Sequence, residues 1–317
     1  MPLNSLTDEE ASFCKGMRVL KAAAPRNPIH PGYVFNLSLR SPKFDNTIQA
    51  PHSPRPLPLD PCSDLLEKEV SYRITEGLQA GESFHSQVWL AKPVGFESDS
   101  DPCLVFKFIV ASHLIQRDEV PKEDYRTFQQ VVDSQVEPFE QLWFLQGSFL
   151  PWFYGLHDVT MPWKETGKLF VMEYIPTTFR SIVEPERKLN VDDCFKNAYK
   201  NLGIAHKARI THGDIHLDNL LYDDTPHTST PRLVFIDWRN DAKVDLRGEV
   251  MTFFHINRDI CFLFDVFLKI QDDEDGDDDS DSSYIKFIKK TYKDEEIGER
   301  LEYLHVAGQL PDDFLTS

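Results

Sequence analysis

Thr211-His212-Gly213-Asp214-Ile215-His216-Leu217-Asp218-Asn219-Leu220-Leu221 decides the fold, and Leu233-Val234-Phe235-Ile236-Asp237-Trp238 answers it downstream. The first stretch sets Asp214 and Asn219 five positions apart in a short polar loop that runs into leucines. The second is an apolar strand that stops at a carboxylate. A loop Asp, a loop Asn and a strand-end Asp form the oxygen set that phosphoryl transfer from Mg·ATP requires. One accepts the proton of an attacking hydroxyl, and two hold a hard cation against phosphates.

Two rival readings use the same residues. His212, Asp214, His216 and Asp218 alternate as metal-ligand types, which suggests a metallohydrolase, but no supporting downstream histidines are evident. A plain helix–loop–strand with polar turn residues would leave the strand-end Asp237 unexplained.

The pattern His-Gly-Asp-x-His-x-x-Asn followed by Ile-Asp-Trp resembles the catalytic and metal loops of the protein-kinase-like superfamily. It is most similar to the aminoglycoside and choline phosphotransferase branch and to kinase-like proteins of fungi. The resemblance, over roughly residues 70 to 270, implies an α+β, two-lobed fold. A small antiparallel sheet would form the first lobe, and a mainly helical, shortened second lobe would follow. It implies Asp214 as catalytic base and Asn219 and Asp237 as Mg²⁺ ligands. His216 would stand near the γ-phosphate, where protein kinases carry a Lys. Gly213 replaces the Arg that receives an activation-loop phosphate, so control of that kind is not expected. About twenty residues separate Asp237 from Arg258-Asp259-Ile260, whose Asp resembles the one that anchors the catalytic loop from below. That interval leaves little chain for a peptide-substrate platform. It favours a small-molecule hydroxyl, or an atypical protein substrate, as acceptor.

Upstream, Val70–Thr75, Gln87–Lys92 and Leu104–Val110 read as strands. Gly81, Ser83, Ser86 and Val88 fall where the resemblance has a glycine-rich phosphate loop, with serines at its second and third glycines. Lys107, flanked by apolar residues, needs an anion if it points inward; the α- and β-phosphates of ATP would serve. An edge-strand surface Lys is the alternative. Either Glu137 or Glu140 would orient it. Val136–Leu145 reads as helix, and Pro138 suits a first helical turn, which would leave Glu137 at the very end. Leu169–Pro176 is a strand in the place of the inter-lobe hinge. There Met172 would flank adenine, and the backbone of Glu173 and Ile175 would bond its edge. Residues 191 to 208 show helical spacing, with Asn190 as N-cap. Near their end, His206 reads as a packed structural histidine; in the loop that follows, Asp218 reads as a solvent-facing or helix-capping acid.

The 317 residues allow two lobes: 69–175 for the first and 176–317 for the second. Residues 1–68 hold ten of the 21 prolines and read as an extension, partly extended and partly disordered, that lies on the domain or hangs loose. Tyr33, Val34, Phe35 and Leu37 could anchor it. The acidic loop 272–283 holds eight acids between Asp272 and Asp281, with serines 280, 282 and 283 open to phosphorylation. These two segments are the ones a protein partner would meet. Ile260–Ile270 reads as a buried helix.

Net charge is −18, which repels nucleic acid and anionic membrane. Five scattered cysteines without a CxxC fit a reducing compartment, cytoplasmic or nuclear. No apolar run spans a bilayer. Two functions stay in play. Intact Lys107, Asp214, Asn219 and Asp237 favour an ATP- and Mg²⁺-dependent phosphotransferase. The serine-substituted loop favours a pseudokinase that binds nucleotide or serves as a scaffold.

Overall fold

The structure, a computed structural model, describes residues 8–42, 54–59, 63, 65–81, 84–96, 98, 101–114, 127–182, 191–223, 232–238, 258–260, 262, 263, 266 and 267. The fold is mixed α+β. The chain divides into two units, Met1–Ile175 and Pro176–Ser317.

Unit 1 is built on a six-stranded antiparallel sheet of β1 (Val34–Ser38), β2 (Glu69–Gln79), β3 (Ser86–Pro93), β4 (Leu104–Ile109), β5 (Phe153–Thr160) and β6 (Thr166–Glu173), in the order β1-β2-β3-β4-β6-β5. Strand alternation divides β4 between two cores. Leu104, Phe106 and Phe108 point into the larger one with Tyr72, Ile74, Trp89, Leu169 and Val171. Ile109 belongs to the smaller one, with Phe170 and Val132 of helix α3 (Phe128–Gln141). Phe106 and Tyr72 are fully buried; removing such a ring from water contributes about 2–3 kcal/mol.

The proline-rich extension departs from the sequence expectation. It carries helix α1 (Asp8–Ala23), in the one window between Pro2 and Pro25 where nothing interrupts a helix, and strand β1 on the sheet edge. Phe35, Leu37 and Leu39 fill the larger core, and Leu59, further along the arm, is fully buried there. Residues 54–59 are neither helix nor strand, as three prolines among six residues require. A short helix α2 (Ala111–Leu114) follows β4. Its Ser112 donates from N and Oγ to buried Glu165 at 2.8 and 2.5 Å, and Trp163 Nε1 donates to the same carboxylate at 2.7 Å.

The expected placement of Pro138 is also corrected. Helix α3 begins ten residues earlier, at a capping box in which Thr127 and Gln130 exchange side-chain-to-backbone bonds. Pro138 therefore lies inside the helix, and Glu137 sits in its last turns rather than at its start. The helix ends at Gln141, and residues 143–145 form a 3₁₀ turn.

Unit 2 contains α4 (Phe179–Ile182), α5 (Val191–Lys207), an antiparallel pair of β7 (Leu220–Asp223) and β8 (Arg232–Phe235), and the helical residues 258–260, 262, 263, 266 and 267. Cys194, Phe195, Ala198, Leu202 and Ala205 are buried along one face of α5. Burial pushes the Cys194 thiol up to about 12. Phe267 packs on Phe179 and Phe195, with ring centroids 5.4 and 5.2 Å apart. Of the described residues in the expected buried helix 260–270, Leu263, Val266 and Phe267 are buried, whereas Phe262 is 38% exposed. Asn190, Ser83, residues 224–231 and the expected acidic loop 272–283 lie outside the described residues. Among the described residues no helix is long and apolar enough to cross a membrane.

Candidate functional site

The end of α5 sets the position of the loop 211–219. Its last turn closes with Ile210 N–H on Ala205 O at 3.0 Å and Arg209 N–H on His206 O at 2.9 Å. This is a Schellman arrangement with Arg209 in the left-handed region at φ 60°. The chain then enters the loop with Thr211 and His212 fully buried.

Asp259 holds that loop from beneath. Its carboxylate, 0% exposed, accepts His212 N–H at 2.6 Å, Gly213 N–H at 2.7 Å and His206 Nε2 at 3.1 Å. Arg258 donates to Gly213 O at 3.3 Å. Gly213 adopts φ 81°, a conformation L side chains resist, so glycine suits the sharp reversal above Asp259. His206 is therefore more than packing: it is bonded to the acid that fixes the loop.

His212 braces the other side. Its Nε2 donates to Ile236 O at 2.9 Å, which leaves Nδ1 to accept Asp214 N–H at 3.2 Å. Both ring nitrogens are thus spent on backbone, an arrangement that disfavours the metallohydrolase reading. Burial lowers the His212 pKa; the nearby carboxylates of Asp259, Asp237 and Asp214 oppose this and are outweighed. His212 thus ties the backbone of Asp214 to the strand end that immediately precedes Asp237.

That depressed pKa gives a pH dependence. Above the ordinary imidazole value of 6.5 the ring is neutral whether folded or unfolded. Below it, the unfolded ring binds a proton that the folded one refuses, so stability is lost as pH falls from 6.5 towards the folded value. Unfolding followed by circular dichroism against pH should lose up to about 1.4 kcal/mol per pH unit from this one proton. His212→Gln, which can make both bonds without titrating, should reduce that slope; equal slopes in the two proteins would contradict the assignment.

Asn219 ties the loop to the strand. Its Nδ2 donates to Asp214 O at 2.9 Å and lies 3.5 Å from Asp214 Oδ2; its own carbonyl accepts Ile236 N–H at 3.0 Å. With the amide nitrogen committed to Asp214, the amide oxygen is the end available to a cation. Asp237 follows at φ 61°, left-handed for a non-glycine residue, and Trp238 is buried against His212 with centroids 4.8 Å apart. Strain of this kind, of about 1–3 kcal/mol, persists where neighbours enforce it.

His216 is 46% exposed, with Nε2 3.8 Å from Asp214 Oδ2 and Nδ1 accepting Asp218 N–H at 3.3 Å. Asp218 is exposed, as its sequence position suggested. Its fork with Arg180, at 2.6 and 2.9 Å, holds its carboxyl below the usual range. Two oxygen donors from the protein suffice for Mg²⁺, which keeps waters and takes phosphate oxygens for the remainder. Among the described residues no group of three or more His, Cys, Asp or Glu forms a metal cluster.

In unit 1, Lys107 is 7% exposed on a central strand, which excludes the edge-strand alternative. It faces the same side as Ile109, in register with Val88 of β3 and Phe170 of β6. Met172 packs against that smaller core. Glu137 is half-buried and accepts a bond from Gln141 Nε2; Glu140 is exposed. Gly81 has φ 116° and open space around it in the β2–β3 turn, while Ser86 already belongs to the ladder opposite Ile109. Ile175 is 8% exposed. The Glu173 amide donates to Trp152 O at 2.8 Å, and its side chain is paired with Arg55 at 2.7 Å, a partner that sequence reasoning missed. Comparison with protein-family models and with curated proteins gave no match for this chain.

Proposed function

We propose that the chain is an ATP- and Mg²⁺-dependent phosphotransferase of the protein-kinase-like fold, acting on a hydroxyl of a small molecule or an atypical protein substrate. The observation that carries this reading is the coupling of three oxygen-bearing residues in one loop–strand assembly. Asn219 bonds Asp214 through its side chain and Ile236 through its backbone, and Asp237 comes next. Asp214, 29% exposed, is placed to meet a substrate, whereas Asp259 beneath it is not.

In this reading Asp214 accepts or orients the hydroxyl proton, and Asn219 Oδ1 and the Asp237 carboxylate hold Mg²⁺. The metal would neutralise charge on the phosphates. His216 would stand beside the transferred group. Lys107 would pair with the α- and β-phosphates, with Glu137 or Glu140 as its orienting carboxylate. Gly81 and Val88 would cover the nucleotide, and Met172, Glu173 and Ile175 would meet its base. The second reading, a pseudokinase, draws on Ser83 and on Ser86, whose place in the β3–β4 ladder restricts the backbone where glycine would yield.

The two separate in an assay of γ-phosphate release from ATP. Phosphotransferase function requires that Asp214→Ala remove the activity. An unchanged background rate with ATP still bound supports the pseudokinase.

A further inference from the structure

Arg55 enters unit 1 from the proline-rich arm and is 5% exposed. Its Nε and Nη2 bond both carboxylate oxygens of Glu173, at 2.9 and 2.7 Å, from 118 positions away. Nη1 and Nη2 also donate to Ser148 O and Leu150 O, at 2.9 and 3.2 Å. The backbone at Arg55 is gripped as well: its N–H donates to Gly147 O at 2.7 Å, and its carbonyl accepts Trp152 Nε1 at 3.2 Å. Gly147 allows this approach, since a Cβ there would lie 2.3 Å from the Trp152 ring. Leu59, four residues on, is a second anchor at 0% exposure.

Glu173 ends β6 and is 6% exposed. Besides Arg55, its carboxylate accepts Trp152 N–H at 3.0 Å. A bidentate guanidinium fixes a carboxylate's geometry, and removing one partner of such a buried pair leaves the other uncompensated. The strand end therefore depends on a cation from a segment remote in sequence.

We infer that Arg55 is a positioning residue: the arm acts as a latch that orders residues 172–175, so seating of the arm and binding at that strand end are coupled. The coupling to nucleotide rests on the proposed function, which assigns Met172, Glu173 and Ile175 to the adenine. The latch itself does not. Because coupling is reciprocal, a ligand at the strand end would also tighten the arm. No bond forms or breaks; the device is conformational.

The test is hydrogen exchange on the full-length chain, comparing wild type with Arg55→Lys and Arg55→Met/Glu173→Met. Lysine keeps the charge but not the fork, so the fold survives while the grip loosens. Exchange over residues 170–176 should rise about tenfold in Arg55→Lys, with residues 194–205 unchanged. The double variant, which removes the buried charge altogether, should restore protection. If the coupling holds, saturating ATP should in turn slow exchange over residues 55–59 of the arm in wild type. Unchanged exchange over 170–176 in Arg55→Lys overturns the latch. Exchange over residues 55–59 that is the same with and without bound ATP overturns the coupling. Wild type that binds no ATP removes the proposed function and the coupling, and the exchange result still decides the latch.

Discussion

Asp259→Ala is expected to lower the thermal midpoint of the second unit by on the order of 10 °C. Three donors converge on this carboxylate, two of them backbone N–H groups of a buried turn. Each N–H left without a partner costs about 1–3 kcal/mol, and the missing side chain adds a void. A total of roughly 3–5 kcal/mol is a large share of the stability of an ordinary domain. Asp259→Asn should recover little of it, because an amide presents only one acceptor oxygen to donors that now engage two. Calorimetric scans of the three proteins decide the matter. A midpoint within a degree or two of wild type for Asp259→Ala would mean that the loop is held by something other than this acid.

Asp214→Ala should behave in the opposite way, keeping the fold and losing the chemistry. Two of the bonds that place this residue run through its backbone: Asn219 Nδ2 on its carbonyl and its N–H on His212 Nδ1. Both survive truncation. The side chain is 29% exposed, and changes at such positions usually stay within about 0.5 kcal/mol. Loss of a general base, by contrast, slows transfer about 10²–10⁴-fold. The expected result is a γ-phosphate transfer rate reduced by that factor, with unchanged thermal midpoint and unchanged Mg·ATP affinity. An equal fall in nucleotide affinity would instead assign Asp214 to binding.

The local patterns of this chain were legible where chemistry and periodicity coincide. Strands β2, β3 and β4 fall on the apolar runs that announced them, β6 begins three residues before its expected run and ends at Glu173 rather than Pro176, and α5 covers the helical spacing of residues 191 to 208. The polar loop 211–219 stood out because side chains of that type have no packing reason to follow one another so closely. Prolines misled in two places. Their density hid α1 and β1, which occupy the proline-free windows of the extension. Pro138 suggested a helix start, whereas the start was written as Thr127-Phe128-Gln129-Gln130, a capping-box spacing that could have been read. Strand β5, with Phe153, Tyr154, Val159 and Thr160, had ordinary strand content and could have been read as well. The Arg55–Glu173 pair could not. A lone Arg among prolines and a lone Glu at a strand end carry no mutual signature, and only the folded sheet brings them together. Likewise, nothing in the sequence separated His206 from a packing residue until Asp259 was found against it.

The claim on which the account rests is that Asn219 and Asp237 hold a magnesium-bound triphosphate beside Asp214. Isothermal calorimetry of ATP with and without Mg²⁺, on wild type and Asp237→Ala, tests it most directly. One site per chain is expected, whose affinity requires Mg²⁺ in wild type and loses that requirement, with most of its strength, in Asp237→Ala. Absence of binding to the wild-type protein, or binding that is the same with and without the metal and the carboxylate, would contradict it.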